Sequence, residues 1–260
     1  MDGTPAVLEL ARRLAREAGA LQRASYETDH EIATKSAAVD LVTEVDHACE
    51  ALVVGTLAKE RPGDAVLAEE GSGTDRPDAE WRWVIDPLDG TTNYAHSYPR
   101  FCVSIGVEHR GEARVGVVYD PLMDELYHAV SGAGAFRNDR PIRVTGEDDL
   151  GRSLLATGFA YDRRASEVDN VGHFATFLKN ARALRRDGSA ALDLCYVACG
   201  RLDGYWELKL SPWDVCAGSL IVEEAGGRVS NFAGDRLAGA EQVVASNGRI
   251  HAAMLAVLNR

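Results

Sequence analysis

Trp83-Val84-Ile85-Asp86-Pro87-Leu88-Asp89-Gly90-Thr91-Thr92-Asn93-Tyr94 runs from an apolar segment into two aspartates three apart, then into a Gly-Thr turn. Ala79 to Ile85 reads as a buried strand with Asp86 at its end. Pro87 fixes φ between the two acids and denies them a place on a continuing ladder. Asp89-Gly90 followed by Thr91 is turn chemistry leading to a helix cap. Free backbone N–H groups at such a start attract an anion such as phosphate. Two hard carboxylates beside that cradle point to a divalent metal bridging protein and phosphate. A strand–turn–helix junction with solvated acids explains the bare D-x-x-D-G-T equally well, but the longer string is far more specific.

The chain of 260 residues can bury a large core, as one big domain or two closely joined halves. A hydrophobic fraction of 46% and a charged fraction of 26% are those of an ordinary globular protein. No apolar run reaches membrane-spanning length, so no membrane is expected. The start, Met1-Asp2-Gly3-Thr4-Pro5, lacks the basic and apolar regions of a signal peptide, and a cytoplasmic location is the expectation. The formal net charge of −12 repels bare nucleic acid at long range, so no nucleic-acid partner is expected. Five cysteines lack C-x-x-C spacing; Cys195 and Cys199, four apart on a helix, read as structural, with no His or further Cys to complete a zinc site. Among seven scattered histidines only His96 lies close behind the central motif, where a structural role suits it better than a catalytic one.

Helical spacing of Leu8, Ala11, Ala15, Ala18 and Leu21 predicts a helix from Thr4 to about Thr28. Glu31 to Asp40 is pattern-free and reads as a loop; a second helix runs from Thr43 to about Glu60, ended by Pro62-Gly63. Strands are predicted over 65–68, 82–85, 101–110, 113–119 and 125–130, with a hairpin turn at Arg110-Gly111-Glu112, which favours a largely antiparallel sheet flanked by the two helices. The second half alternates: strands at 154–157, 183–185, 204–208, 228–230 and 243–245, helices at 166–178, 190–200, 212–225 and 247–258. An α+β half followed by an α/β half implies a five-layered α/β/α/β/α sandwich, one compact unit with halves 1–148 and 149–260.

Four further segments put acids at the edges of regular elements. Ala65 to Ala68 runs into Glu69-Glu70-Gly71, either a solvated strand end or a carboxylate presented to a metal. Ser211-Pro212-Trp213-Asp214 reads first as a capping box with Trp213 in the core. Thr43-Glu44-Val45-Asp46 is another cap, with Lys35 and Asp40 in the loop ahead of it. Arg186-Asp187-Gly188-Ser189-Ala190-Ala191 is a strand-to-helix turn where a ligand could approach backbone closely. Acids recurring at strand ends and helix starts mark where α/β layers build active sites.

These residues resemble the inositol monophosphatase family. Trp83 through His96 satisfies its pattern W-x-[IV]-D-P-[IL]-D-G-T-x-N-[FY]-x-H at every position, and Trp213 through Gly227 fits W-D-x-[AC]-A-[GA]-x-x-[IL]-x-x-E-[AS]-G-G throughout. Lys35-Ser36, Asp40 to Thr43, Asp46 and Glu69-Glu70 also match in order. The resemblance implies the sandwich fold of the inositol monophosphatase and fructose-1,6-bisphosphatase type, a homodimer, lithium sensitivity, and Mg²⁺-dependent hydrolysis of a small phosphomonoester with two to three Mg²⁺ per site. It implies that Glu69, Asp86 and the carbonyl of Leu88 hold one Mg²⁺, that Asp86, Asp89 and Asp214 hold a second, and that a third sits near Glu69. It further implies that Lys35 and Asp40 belong to a mobile loop over the site. Gly90 and Thr91 would bind phosphate, while Glu69 and Thr91, the latter hydrogen-bonded towards Asp46, align water. Gly188, Ser189, Ala190, Glu207, Asp89 and Asp214 would contact the substrate, and Ser211 would lie beside them. Inositol 1-phosphate is the substrate most in keeping with Asp89-Gly90-Thr91-Thr92-Asn93 and Glu207. Sugar-bisphosphate or histidinol-phosphate hydrolysis is the alternative, and a non-catalytic regulatory binding protein the rival from another class.

Overall fold

Capping chemistry decides where the chain's second helix begins. In the computed structural model, which describes residues 3–29, 32–35, 40–237 and 239–260, Asp46 Oδ2 accepts from the Thr43 backbone N–H at 2.9 Å and from its hydroxyl at 2.6 Å. The first helix, α1 (Thr4–Ser25), buries Val7, Leu10, Ala11, Leu14, Ala15 and Ala18. That stripe is rotated from the expected one: Leu8 is only partly buried and Leu21 is exposed. The loop expected over 31–40 contains a strand, β1 (Ile32–Thr34), paired antiparallel with β2 (Leu41–Thr43), while the rest of that stretch lies largely outside the described residues. Every residue of β1 is exposed, so it carries no apolar alternation to betray it. Helix α2 (Glu44–Glu60) follows directly.

The first large sheet has seven strands: β3 (Ala65–Ala68), β4 (Trp81–Asp89), β5 (Cys102–His109), β6 (Glu112–Asp120), β7 (Glu125–Val130), β8 (Ala135–Arg137) and β9 (Arg140–Pro141), in that spatial order. It is antiparallel except for β3 against β4. The five-residue helix α3 (Thr91–Ala95) lies between β4 and β5. The ladder does not end at Asp86. Asp86 pairs with Ser104, the register shifts, and Asp89 pairs with Cys102. Pro87 therefore makes a bulge rather than a stop, and its carbonyl accepts from the buried Gln22 side chain at 2.8 Å. Strands β8 and β9 were not expected; they are joined at Asn138 and Asp139, both left-handed at φ 47 and 60.

The second sheet gathers β10 (Leu154–Thr157), β11 (Ala183–Arg185), β12 (Gly204–Leu208), β13 (Arg228–Ser230) and β14 (Gln242–Ser246) in the order β11-β10-β12-β14-β13. Helix α4 (Val171–Asn180) starts five residues later than its pattern suggests. Helices α5 (Ala190–Ala198), α6 (Pro212–Glu224) and α7 (His251–Leu258) complete the chain. Residues of α5 and α6 share a core with Cys102, Val118 and Tyr127 of the first sheet and Tyr205, Val243 and Ala245 of the second. Helices α1 and α2 pack on the outer face of the first sheet, and α7 with Phe177 of α4 packs on the outer face of the second. The layers are α/β/α/β/α, as expected. Gly106 and Gly116 let α6 lie close: a Cβ there would stand 2.4 Å from Cys216 Sγ and 2.6 Å from the Ala217 carbonyl oxygen.

Candidate active site

Three aspartates reach one cavity by the same device, each fixing one carboxylate oxygen on a backbone N–H. Asp86 Oδ1 accepts from Leu88 N–H at 2.9 Å, across the bulge. Asp89 Oδ2 accepts from the Ser189 hydroxyl and from Ala191 N–H, both at 2.7 Å, at the start of α5. Asp214 Oδ2 accepts from Ser211 N–H at 2.6 Å, at the start of α6. Asp214 therefore caps α6 and lines the cavity at once.

The cavity has a volume of about 360 Å³. Lys35, Asp40, Glu69, Asp86, Leu88, Asp89, Gly90, Thr91, Gly188, Ser189, Ala190, Glu207 and Asp214 all line it. Asp46 does not. It stands behind the wall, where its Oδ1 accepts from Thr91 Oγ1 at 2.8 Å. Thr91 Oγ1 also lies 3.1 Å from the Leu88 carbonyl, so its single proton is engaged inward and the hydroxyl can only accept on its cavity side. Gly90 caps α3 at φ 99, and a Cβ there would stand 2.8 Å from the Arg100 carbonyl oxygen. Asn93 joins the central motif to the turn before α5, donating to the carbonyls of Arg100 at 2.7 Å and Asp187 at 2.8 Å. Trp213 lines the cavity, partly exposed, rather than lying in the core: position N2 of α6 faces the mouth. His96 is exposed and away from the cavity.

So many acids in one enclosure resist ionisation. Burial, then Glu69, Asp89 and Asp214, pushes Asp86 well above the carboxylate range. Burial and then Asp89 do the same to Asp214. Glu69 and Asp89 are raised chiefly by burial, partly offset by Lys35 and by Ser189 respectively. Burial alone would lower the Lys35 ammonium. Glu69, at 2.8 Å, and Glu70 outweigh it and hold the ammonium charged. Glu207 is pushed up to about 7 by burial, against a hydrogen bond from the Tyr205 hydroxyl at 2.6 Å.

Among the described residues no group of three or more His, Cys, Asp or Glu side chains is drawn together as a ready-made cage. The donor chemistry nonetheless fits a hard divalent cation. Glu69, Asp86, Asp89, Asp214 and the Leu88 carbonyl offer only oxygen, and the backbone N–H groups that anchor the three aspartates fix one oxygen of each.

Several residues of the site had no local signal. Glu50 of α2, 2% exposed, holds the turn after β3 by accepting from Glu70 N–H at 2.7 Å and Ser72 N–H at 2.9 Å. Gly158 follows β10 directly, and a Cβ there would lie 2.1 Å from both carboxylate oxygens of Glu207. Tyr161, Arg186 and Lys209 complete the wall around Glu207. The strand-end rule that located Glu69 also applies to Gly158, one residue past Thr157.

A sequence model of the inositol monophosphatase family matches residues 5–260. The chain is 45% identical over 245 residues to a Synechocystis protein named inositol-1-monophosphatase, covering 94% of this chain and 85% of that one. It is 42% identical over 254 residues to the Escherichia coli Nus factor SuhB, covering 96% and 94%. A solved inositol monophosphatase from Anabaena superposes with a TM-score of 0.88 at 44% identity, covering 98% of this chain and 96% of that one.

Proposed function

The chain belongs to the inositol monophosphatase family, and from that premise we propose that it hydrolyses myo-inositol 1-phosphate to inositol and phosphate with Mg²⁺. The observation that carries the reading is the all-oxygen cavity, in which anchored Asp86, Asp89 and Asp214 meet Glu69 and the Thr91–Asp46 pair. Two to three Mg²⁺ bound by Glu69, Asp86, the Leu88 carbonyl, Asp89 and Asp214 would supply charge neutralisation and a more acidic water. Thr91, its proton held towards Asp46, accepts a hydrogen bond from the attacking water and turns a lone pair of that water to phosphorus. Glu69 takes the water's proton. Backbone N–H groups at Gly90 and Thr91 receive phosphate oxygens at the start of α3. Glu207 accepts from hydroxyls of the alcohol, beside Gly188, Ser189 and Ala190, and Lys35 and Asp40 sit on the loop over the site. A homodimer and inhibition by lithium accompany this reading.

Hydrolysis of fructose 1,6-bisphosphate or histidinol phosphate is the alternative within the same chemistry. A regulatory role without catalysis is favoured by one observation, the name Nus factor carried by a relative 42% identical. The test is phosphate release from inositol 1-phosphate, fructose 1,6-bisphosphate, histidinol phosphate and phosphoadenosine phosphate at fixed Mg²⁺, with an EDTA control. The expected result is a kcat/KM preference for inositol 1-phosphate that EDTA abolishes. Preference for another substrate transfers the assignment to it, and no metal-dependent release from any brings the regulatory role forward.

A further inference from the structure

Among the described residues three cations line the cavity, and two of them are already spent. Lys35 is held by Glu69 and Glu70. Lys209 is held by Asp162 at 2.6 Å and by the Ser166 hydroxyl at 2.7 Å. Among the described residues Arg186 has neither a hydrogen bond nor an ion pair. It leaves the end of β11 and folds back over Gly188, where its Nη1 would lie 2.8 Å from a Cβ. Gly188, at φ +81 and without a side chain, is what lets the guanidinium occupy that place. Arg186 lines the same cavity as Glu207, over the Gly188 turn that the reading above places beside the alcohol, and its charge opposes the rise that burial imposes on that carboxyl.

An unpaired guanidinium presents a rigid fork of donors that matches a carboxylate or phosphate in two parallel bonds. With Lys35 and Lys209 engaged by their own partners, the acids Asp40, Glu207 and Asp214 on the same wall would repel a second negative charge on the substrate. We propose that Arg186 is a specificity-determining residue that pairs a second anionic group on the alcohol half, so that the cavity takes an acid-bearing sugar phosphate as well as a neutral polyol phosphate. The proposal rests on the phosphomonoesterase reading above.

A matched pair of substrates tests it: 6-phosphogluconate, whose far end is a carboxylate, and glucitol 6-phosphate, whose far end is a neutral alcohol. The wild-type protein is expected to favour 6-phosphogluconate in kcat/KM. Arg186→Gln should lower the ratio of the two about tenfold, mainly through KM for the acid, and Arg186→Lys should restore part of it. A wild-type preference for the neutral substrate, or an equal loss on both in Arg186→Gln, overturns the proposal. Calorimetric binding of the same two compounds in EDTA, where the hydrolase reading predicts no turnover, reads the discrimination apart from catalysis. Binding that discriminates through Arg186, with no phosphate release in Mg²⁺, sinks the hydrolase reading and leaves the Arg186 assignment standing. Hydrolysis without discrimination does the reverse.

Discussion

Gly158→Ala is a one-carbon change whose cost can be worked from two contacts. The added Cβ would stand 2.1 Å from Oε1 and Oε2 of Glu207. Ordinary non-bonded contact is roughly 3.5 Å, so the carboxylate must retreat by more than about 1 Å. Glu207 is not free to do so, because the hydroxyl of fully buried Tyr205 donates to its Oε2 at 2.6 Å. Retreat stretches that bond past hydrogen-bonding range and leaves a buried hydroxyl unpaired. A hydrogen bond to a charged group is worth about 1.5–3 kcal/mol, and the substitution should destabilise the protein by that amount. The assay is urea unfolding in EDTA across a double-mutant cycle with Glu207→Ala. Once Glu207 is truncated the three atoms nearest to the Cβ are gone, so Gly158→Ala should then cost no more than about 0.5 kcal/mol. In the otherwise wild-type protein the displaced carboxylate should also raise KM for inositol 1-phosphate more than KM for an aryl phosphate. An equal cost of Gly158→Ala in both backgrounds, or no cost in either, refutes the argument that Gly158 exists to seat Glu207.

Two further outcomes follow from the buried acids. Glu207 has its pKa raised from about 4.5 to about 7, and Glu69, Asp86, Asp89 and Asp214 are raised as well. An acid with a raised folded-state pKa binds more protons folded than unfolded, so stability is lost as pH rises through that window; the urea midpoint in EDTA should fall between about pH 4.5 and pH 7 and recover on adding Mg²⁺, whereas a midpoint that rises would contradict the shifts. Asp214→Asn keeps an oxygen for the Ser211 N–H but loses the charge, so it should retain the fold, with stability within about 1 kcal/mol of wild type in EDTA, while Mg²⁺-dependent phosphate release falls at least a hundredfold; near-normal release would remove Asp214 from the metal set.

Local signals carried much of the fold and most of the candidate site. Strands β3, β7, β10, β11, β12 and β13 occupy the ranges their patterns predict. Of the fourteen site residues read from motif and resemblance, thirteen line the cavity and only Asp46 does not, although they are spread along the chain from Lys35 to Asp214; most of them stand at or near a strand end or a helix start. Misreadings arose where tertiary structure overrides a local rule. Pro87 reads as a terminator, yet the ladder closes again at Asp89 because a bulge absorbs the missing donor. No strand is predicted around Asn138 and Asp139, yet their left-handed conformations close a tight hairpin between β8 and β9. Glu50 gave no sign and Gly158 only its place at a strand end, since a helix-interior glutamate and a glycine after a strand acquire roles only when Ser72 and Glu207 arrive from elsewhere in the chain.

The anchoring of the three aspartates bears on how acids that cost so much to ionise are held in one cavity. Each acid is buried or partly buried beside others of the same charge, which favours protonation over ionisation. A backbone N–H on one oxygen stabilises the ionised form and limits rotation of the carboxylate, so the second oxygen is presented in a set direction. The donors come from three separate places, the bulge at Leu88 and the starts of α5 and α6. Rigid backbone at those places lets acids that repel one another share a cavity without turning away. That preorganisation is what a metal-dependent phosphomonoesterase needs, because little rearrangement is then left for the moment of binding. The same geometry explains why an acid can cap a helix and serve a site at once: capping uses one oxygen, and the other remains for the cavity.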